Sequence, residues 1–269
     1  MRYEHDGVAY ELRCRLVVGA DGTNVYDPPP IGHQAAADPG RAPCAVGCSS
    51  RGCRRGQLAS FRSAPRAICS TLCSPERMGG VRLYLLHDIA QKGRFAGPDR
   101  QAEFLAAFGF RYIPGSEMFR AARPAGPCAF YPMNDSWTDQ PYASGVVLIG
   151  DAAGWNDSII GQGLAIALRD VRIVTDLLRS GSDWSAAAFV DYGEERWERM
   201  RRLRVAAQVR TDLATTFTPA GAARRRAYNA LWRTDPVLGG PQLISVLGPE
   251  NVPAASFSGP TVDRILALA

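Results

Sequence analysis

A short apolar run that ends on a glycine and an aspartate constrains this chain more than any other feature. Val146, Val147, Leu148 and Ile149 follow one another without a polar residue, the pattern of a strand buried on both faces. Gly150 lets the backbone turn where a side chain would obstruct, so Asp151 emerges at the strand end with Ala152 behind it. Further on, Leu164, Leu168, Val171 and Leu178, with Ala167 and Val174 beside them, have the spacing of a helix with one buried stripe. Gly161, Gln162 and Gly163 therefore stand at a helix N-terminus. Its unpaired N–H groups and the positive end of its dipole suit an anionic or electron-rich ligand atom. Taken alone, a Gly-x-Gly fits an ordinary packing turn equally well.

A second motif sharpens the reading. Cys14-Arg-Leu-Val-Val-Gly-Ala-Asp-Gly22 is another buried strand that presents an aspartate, Asp21, at its carboxyl end, where open α/β sheets bind ligands. In order and in separation the pair resembles the two internal motifs of the FAD-dependent aromatic hydroxylases, the p-hydroxybenzoate hydroxylase-like flavoprotein monooxygenases. The match is closest at Gly19-Ala-Asp-Gly22 and at Gly150-Asp-Ala-Ala153 with Gly161-Gln-Gly163 and Asp170. The resemblance implies that Asp151, with Gly150 and Ala152, binds the ribityl chain of FAD, and that Gly161, Gln162 and Gly163 bring backbone N–H groups to the flavin ring. It implies that Asp21 and Gly22 shape the pyrophosphate and nicotinamide side.

The implied fold is mixed α/β, a partial Rossmann-like FAD-binding domain with an inserted β-sheet substrate domain and carboxyl-terminal helices. Residues 1–23 and 145–180 fall to the FAD-binding domain, 24–144 to the substrate domain and 181–269 to the helical region. The family opens with a GxGxxG turn that grips the FAD diphosphate, and the chain has no such motif. Instead Arg2 to Leu12 reads as a hairpin leading directly into Leu16-Val-Val18. We therefore expect a carboxyl-terminal portion of a longer hydroxylase, one that binds FAD weakly or not at all by itself. Where many family members carry His and Pro after Asp-Ala-Ala, this chain has Gly154 and Ser158, which predicts a looser loop before Gly161.

Net charge is +5, but six arginines and no acidic residue lie between Pro39 and Pro75. That window carries +6 and leaves the rest at −1, so the basicity is local. The same window holds five of the seven cysteines. Their C-x3-C and C-x4-C spacings lack the C-x2-C knuckle of most structural zinc sites, so no metal is expected. A nucleic-acid arm mixes Lys with Arg and interleaves aromatics, whereas Phe61 is the single aromatic here. From Asn24 to Thr71 no strand or helix periodicity persists. We favour an out-of-frame reading of a GC-rich segment over a divergent loop region, and expect residues 24 to about 75 to fold poorly.

Beyond it, Val81 to His87 alternates as a strand, and Pro98 to Phe108 reads as a helix with Phe104, Leu105 and Phe108 inward. Pro127 to Met133 returns as a strand that Pro132 confines to an edge or bend. The resemblance turns this segment toward flavin and substrate, making Tyr131 and Met133 substrate candidates. Residues 184–216 form a long helix dense in Arg and Glu, the pattern of a solvated face. Ala223–Thr234, with Arg224 to Arg226 exposed, and Thr261–Ala269 are further helices.

The histidines, His5, His33 and His87, are scattered, with no G-x-S-x-G or H-E-x-x-H, and His87 reads as a surface residue. The implied activity is NAD(P)H-dependent monooxygenation of an aromatic or polycyclic small molecule with molecular oxygen. The cofactor carries the chemistry and no acid–base dyad is required. A reductase or halogenase of the same architecture and a non-catalytic fragment are the alternatives. No apolar run is long enough to span a membrane and the start is polar, so a cytoplasmic location is the expectation. The sequence does not indicate an oligomeric state.

Overall fold

The computed structural model describes residues 2–22, 34–36, 44–51, 71–75, 80–87, 93–108, 119, 121–124, 126–132, 134–216 and 218–269. Along the chain the strands are β1 (Arg2–His5), β2 (Val8–Glu11), β3 (Val17–Gly19), β4 (Gln34–Ala36), β5 (Cys44–Arg51), β6 (Thr71–Pro75), β7 (Gly80–His87), β8 (Arg123–Pro124), β9 (Ala129–Pro132), β10 (Asp135–Trp137), β11 (Tyr142–Ala143) and β12 (Val146–Leu148). The helices are α1 (Arg100–Ala107), α2 (Gly163–Ser180), α3 (Val190–Thr215), α4 (Pro219–Leu231), α5 (Pro236–Leu247) and α6 (Gly259–Leu266). The chain divides into two compact units.

The first unit comprises Met1–Ala36, Asp135–Val205 and Ile244–Asn251. Its hairpin β1–β2 turns on Asp6 and Gly7, both at positive φ, the left-handed pair that matches strand twist. The central sheet has the order β11-β12-β3. Strands β3 and β12 run parallel although far apart in sequence, with Val17 opposite Val146 and Gly19 opposite Leu148. Helix α2 covers one face, and Val147, Val174, Phe189 and Tyr192 close the core beneath it.

Two expectations are corrected here. Strand β3 is not buried: Val18 is exposed, because β3 is the last strand of its sheet among the described residues and only one of its edges is paired. The predicted stripe of α2 is also rotated, since Leu164, Leu168 and Val171 lie at the surface and Ile166, Asp170 and Val174 face inward. The first half of the helix is apolar nearly all round, so spacing alone fits two faces. A carboxylate on the inner one disguised it.

In the second unit, β7 pairs with β5 and β6, and β8 and β9 both add to the far edge of β5. Pro132 stands on β9 at that edge, as a residue without an N–H requires. Strand β5 lies within the stretch where no periodicity was read. Its Ala, Gly, Ser and Cys residues carry no alternation signal, and ladder pairing on both sides defines it instead. The expectations of poor folding and of an out-of-frame reading concern residues that are largely outside those described. His87 is fully buried, edge-on to Phe95, and not a surface residue. Phe95, Phe104, Phe108 and Phe119 continue the core as a chain of ring contacts.

Helix α5 escaped the sequence reading because Gly239, Gly240 and Pro241 are helix breakers by propensity. Asp235 caps it through the N–H groups of Val237 and Leu238. A side chain at Gly239 would strike the Trp232 carbonyl, and one at Gly240 would strike Ser256, so the glycines admit close packing. On α4, Arg224 and Arg225 are half-buried and bonded to Asp212 and to the Leu213 and Thr216 carbonyls; of the three arginines expected at the surface, Arg226 alone is exposed. No described helix is long and apolar enough to cross a membrane.

The inward face of α2 makes a direct prediction. Ile166→Ala is expected to cost about 2–4 kcal/mol in urea denaturation, and Leu168→Ala less than about 0.5 kcal/mol. Equal losses would return the buried stripe to the Leu164–Leu168 side.

Candidate functional site

The parallel pairing of β3 and β12 brings the two aspartate motifs to the same end of the sheet. Leu148 lies opposite Gly19 and the Ile149 N–H donates to the Gly19 carbonyl at 2.9 Å, so both chains leave their strands side by side at the carboxyl ends. Beyond Ile149 the backbone enters a one-turn 3-10 helix, Gly150–Ala153, with Gly150 at φ 58° and Gly154 at φ 108°. Ala152 and Ala153 are fully buried, whereas Asp151 between them and the strand is exposed. The turn therefore presents one carboxylate outward. Asp21 is also exposed, and Gly22 adopts φ 80°.

A buried ion cluster fixes that turn. Asp170, fully buried on α2, accepts the Gly150 N–H at 2.8 Å, Arg196 Nε at 3.0 Å and Arg199 Nη2 at 2.6 Å. Arg196 Nη1 donates to the Ala153 carbonyl, and Nη2 to the carbonyls of Gly150 and Gly154, all at 2.9 Å. Burial works to lower the Arg199 pKa, but hydrogen bonds to Glu195 and the charge of Asp170 outweigh it and hold the group above its ordinary value. The Tyr192 hydroxyl donates to the Leu148 carbonyl at 2.7 Å. Burial first, then the Asp170 charge, push its pKa far up, so it remains a donor.

This corrects the reading of residues 184–216 as a solvated face. Tyr192, Arg196 and Arg199 share one side of α3, and that side is buried. The signal is conditional: once Asp170 is known to face inward, a lone buried acid demands a buried cation, and the arginines at helical spacing on α3 supply it, but spacing alone does not show which face of α2 is inward.

The loop from Gly154 to Gly161 is held as well, contrary to the expectation from its missing proline. Strand β10 runs so close to Gly154 that a Cβ there would lie 2.5 Å from the Ser136 oxygen and from Trp137 Cα. The Ser136 N–H donates to the Trp155 carbonyl at 2.9 Å, and Asp157 N–H to Asp135 Oδ1 at 2.6 Å. Asp157 is buried and accepts the Ile159 N–H at 2.9 Å, capping the short helix Ser158–Ile160. Gly161 then takes the left-handed conformation at φ 65°. Gln162 precedes the first turn of α2 and donates to the Ser245 carbonyl at 3.3 Å. A Cβ built on Gly161 or Gly163 meets nothing within 4 Å, so the backbone there is open to an approaching ligand.

Of the substrate candidates, Tyr131 stands on β9 opposite Ala45, with its side chain outside the described structure, and Met133 lies outside the described residues. So does His33, and with it the side chains of the five clustered cysteines.

No protein-family model matches the sequence, and no curated protein does. Solved structures do. The flavin-dependent brominase Bmp2 superposes on 98% of the chain with a TM-score of 0.64 at 16% identity. A Klebsiella pneumoniae HpxO variant complexed with FAD covers 92% with a TM-score of 0.63 at 19% identity. CabE, an aromatic hydroxylase from angucycline biosynthesis, covers 86% with a TM-score of 0.59 at 18% identity. The chain has the fold of the FAD-dependent aromatic hydroxylases. It spans 64% of the length of Bmp2 and of HpxO, and 46% of CabE. The described residues open to a ligand at this place are the exposed strand-end carboxylate of Asp151 and the glycine backbone at the start of α2.

Asp135 gives the site a pH signature. Burial, then the neighbouring Asp157 carboxylate, raise its pKa to about 6, against the opposing pull of the Asp157 N–H and Arg204. A carboxyl with a raised folded pKa binds its proton more tightly in the folded state, so stability falls as pH rises from about 4 through 6. Asp135→Asn keeps the acceptor and removes the charge. Between pH 4 and 7.5 the unaltered protein is expected to lose roughly 1–3 kcal/mol more than the variant in urea denaturation. Parallel curves would contradict the assignment.

Proposed function

We propose that this chain carries the ribityl- and ring-binding part of an FAD site in a flavin-dependent oxidoreductase that oxygenates an aromatic or polycyclic small molecule. The observation that carries the reading is the in-register pair β3–β12, which sets the Asp21 and Asp151 motifs side by side at the carboxyl ends of adjacent strands, with the open Gly161–Gly163 backbone beginning α2. Asp151 would accept hydrogen bonds from ribityl hydroxyls, and Gly161 to Gly163 would offer N–H groups and the positive end of α2 to the ring. Asp21 and Gly22 would border the pyrophosphate side. Bound FAD supplies the electron transfer and oxygen chemistry, with NAD(P)H as reductant and molecular oxygen as co-substrate.

In this reading residues 1–23 and 145–180 form the partial FAD-binding domain, 24–144 the substrate domain, with Tyr131 and Met133 as its candidates, and 181–269 the helical region. A halogenase reading also has support, because Bmp2 matches 98% of the chain and CabE 86%; halide incorporation into product would distinguish it.

The test is FAD titration of a chimera that adds the amino-terminal FAD segment of a related hydroxylase. Asp151→Ala is expected to weaken binding about 10- to 150-fold with the fold intact, the loss of charge-assisted bonds of roughly 1.5–3 kcal/mol. Asp157, in the loop that follows the turn, caps the short helix Ser158–Ile160 and is unsuitable as a control. Asp176, exposed on α2, replaces it, and Asp176→Ala should change affinity little. Equal effects, or collapse of Asp151→Ala, would make Asp151 a structural turn residue.

A further inference from the structure

We propose that Arg196 is a positioning residue for the flavin seat, the group that sets the direction in which Asp151 leaves its strand. This rests on the flavin reading given above, and its geometry stands apart from that reading. Three backbone carbonyls, those of Gly150, Ala153 and Gly154, converge on one guanidinium, whose Nε is bonded to Asp170. Both ends of the turn are thus tied to a single side chain that is 3% exposed. The stretch between the ties is Asp151 and Ala152. The Asp151 carbonyl is occupied by the Gly154 N–H at 3.0 Å and Ala152 is buried, so the Asp151 carboxylate is the polar side chain the turn directs outward.

The chemistry asks for arginine at this place. Carbonyl dipoles that converge from two ends of a turn repel one another unless a cation lies among them. A planar guanidinium reaches four acceptors in fixed directions, whereas a lysine ammonium has three donors on a flexible stem. Arg199 provides the contrast. It binds the same Asp170 and also Glu195, yet none of its hydrogen bonds found here goes to a turn carbonyl. The two arginines share the buried cluster and differ in whether they hold the turn.

Amide hydrogen exchange on the full chain separates the roles, with Arg196→Met, Arg196→Lys and Arg199→Met compared in conditions where all are folded. Exchange at the Gly154 N–H is expected to accelerate at least 30-fold more than at the Val147 N–H in both Arg196 variants, and equally at both amides in Arg199→Met. Lysine in place of Arg196 serves as the folded variant should methionine prevent folding. In parallel, binding of riboflavin and of FAD is measured by fluorescence on the same variants of the chimera that carries the amino-terminal FAD segment of a related hydroxylase. Both Arg196 variants should lose affinity at least 10-fold, and Arg199→Met no more than its loss of stability explains. If Gly154 and Val147 accelerate together in every variant, Arg196 is merely a stabilising residue and the proposal fails. If the chimera with Arg196 intact binds neither flavin while the Gly154 effect is seen, the turn clamp holds and the flavin reading is what fails. A local Gly154 effect without any change in flavin affinity overturns the positioning role.

Discussion

The carboxylate of Asp170 is the point on which the first unit turns. It is fully buried on a helix, and its oxygens take a strand-end N–H and two guanidinium groups. Burying such charges costs several kcal/mol per ion, a cost met only when geometry and hydrogen bonding are complete. Here the carboxylate is used on both oxygens, and Arg196 donates to a carboxylate and three carbonyls. A network of that kind contributes specificity more than net stability. It joins α2, α3 and the end of β12 in one arrangement, and slippage of any of them would leave a buried charge unpaired.

From that constraint the rest of the candidate site follows. With the turn held, Asp151 faces outward beside the Asp21 motif, because β3 and β12 are parallel and in register. With the loop to Gly161 pressed on β10 through Gly154 and bonded at Asp135, the open start of α2 is fixed relative to the same turn. A flexible cofactor gains affinity from such preorganisation, since little ordering of the protein remains to oppose binding.

Much of this was legible in the residues. The run from Val146 to Asp151, the Asp-Gly hairpin and the Gly-Gln-Gly before α2 each carry a local physical cause, and each lies where the sequence places it. The second core's Phe104, Leu105 and Phe108 were equally plain. What escaped was set by partners distant in sequence. The inner face of α2 cannot be distinguished by spacing when two apolar stripes are present. Arg196 and Arg199 look like members of a surface charge run until Asp170 is brought against them. Helix α5 forms despite its glycines because those glycines permit contact with Trp232 and Ser256. Strand β5 is defined by its neighbours and not by its own alternation.

The central claim is that the Gly150–Ala152 turn and the Gly161–Gly163 helix start make one flavin-contacting surface. Titrating the 15N-labelled chimera, the chain extended by the amino-terminal FAD segment of a related hydroxylase, with FAD and following the backbone amides tests it most directly. The account predicts shifts at Asp151, Ala152, Gly161, Gln162 and Gly163, with smaller ones at Asp21 and Gly22, while the amides of Gly7 and of α4 stay in place. Shifts confined to other residues, or none at saturating FAD, would contradict it.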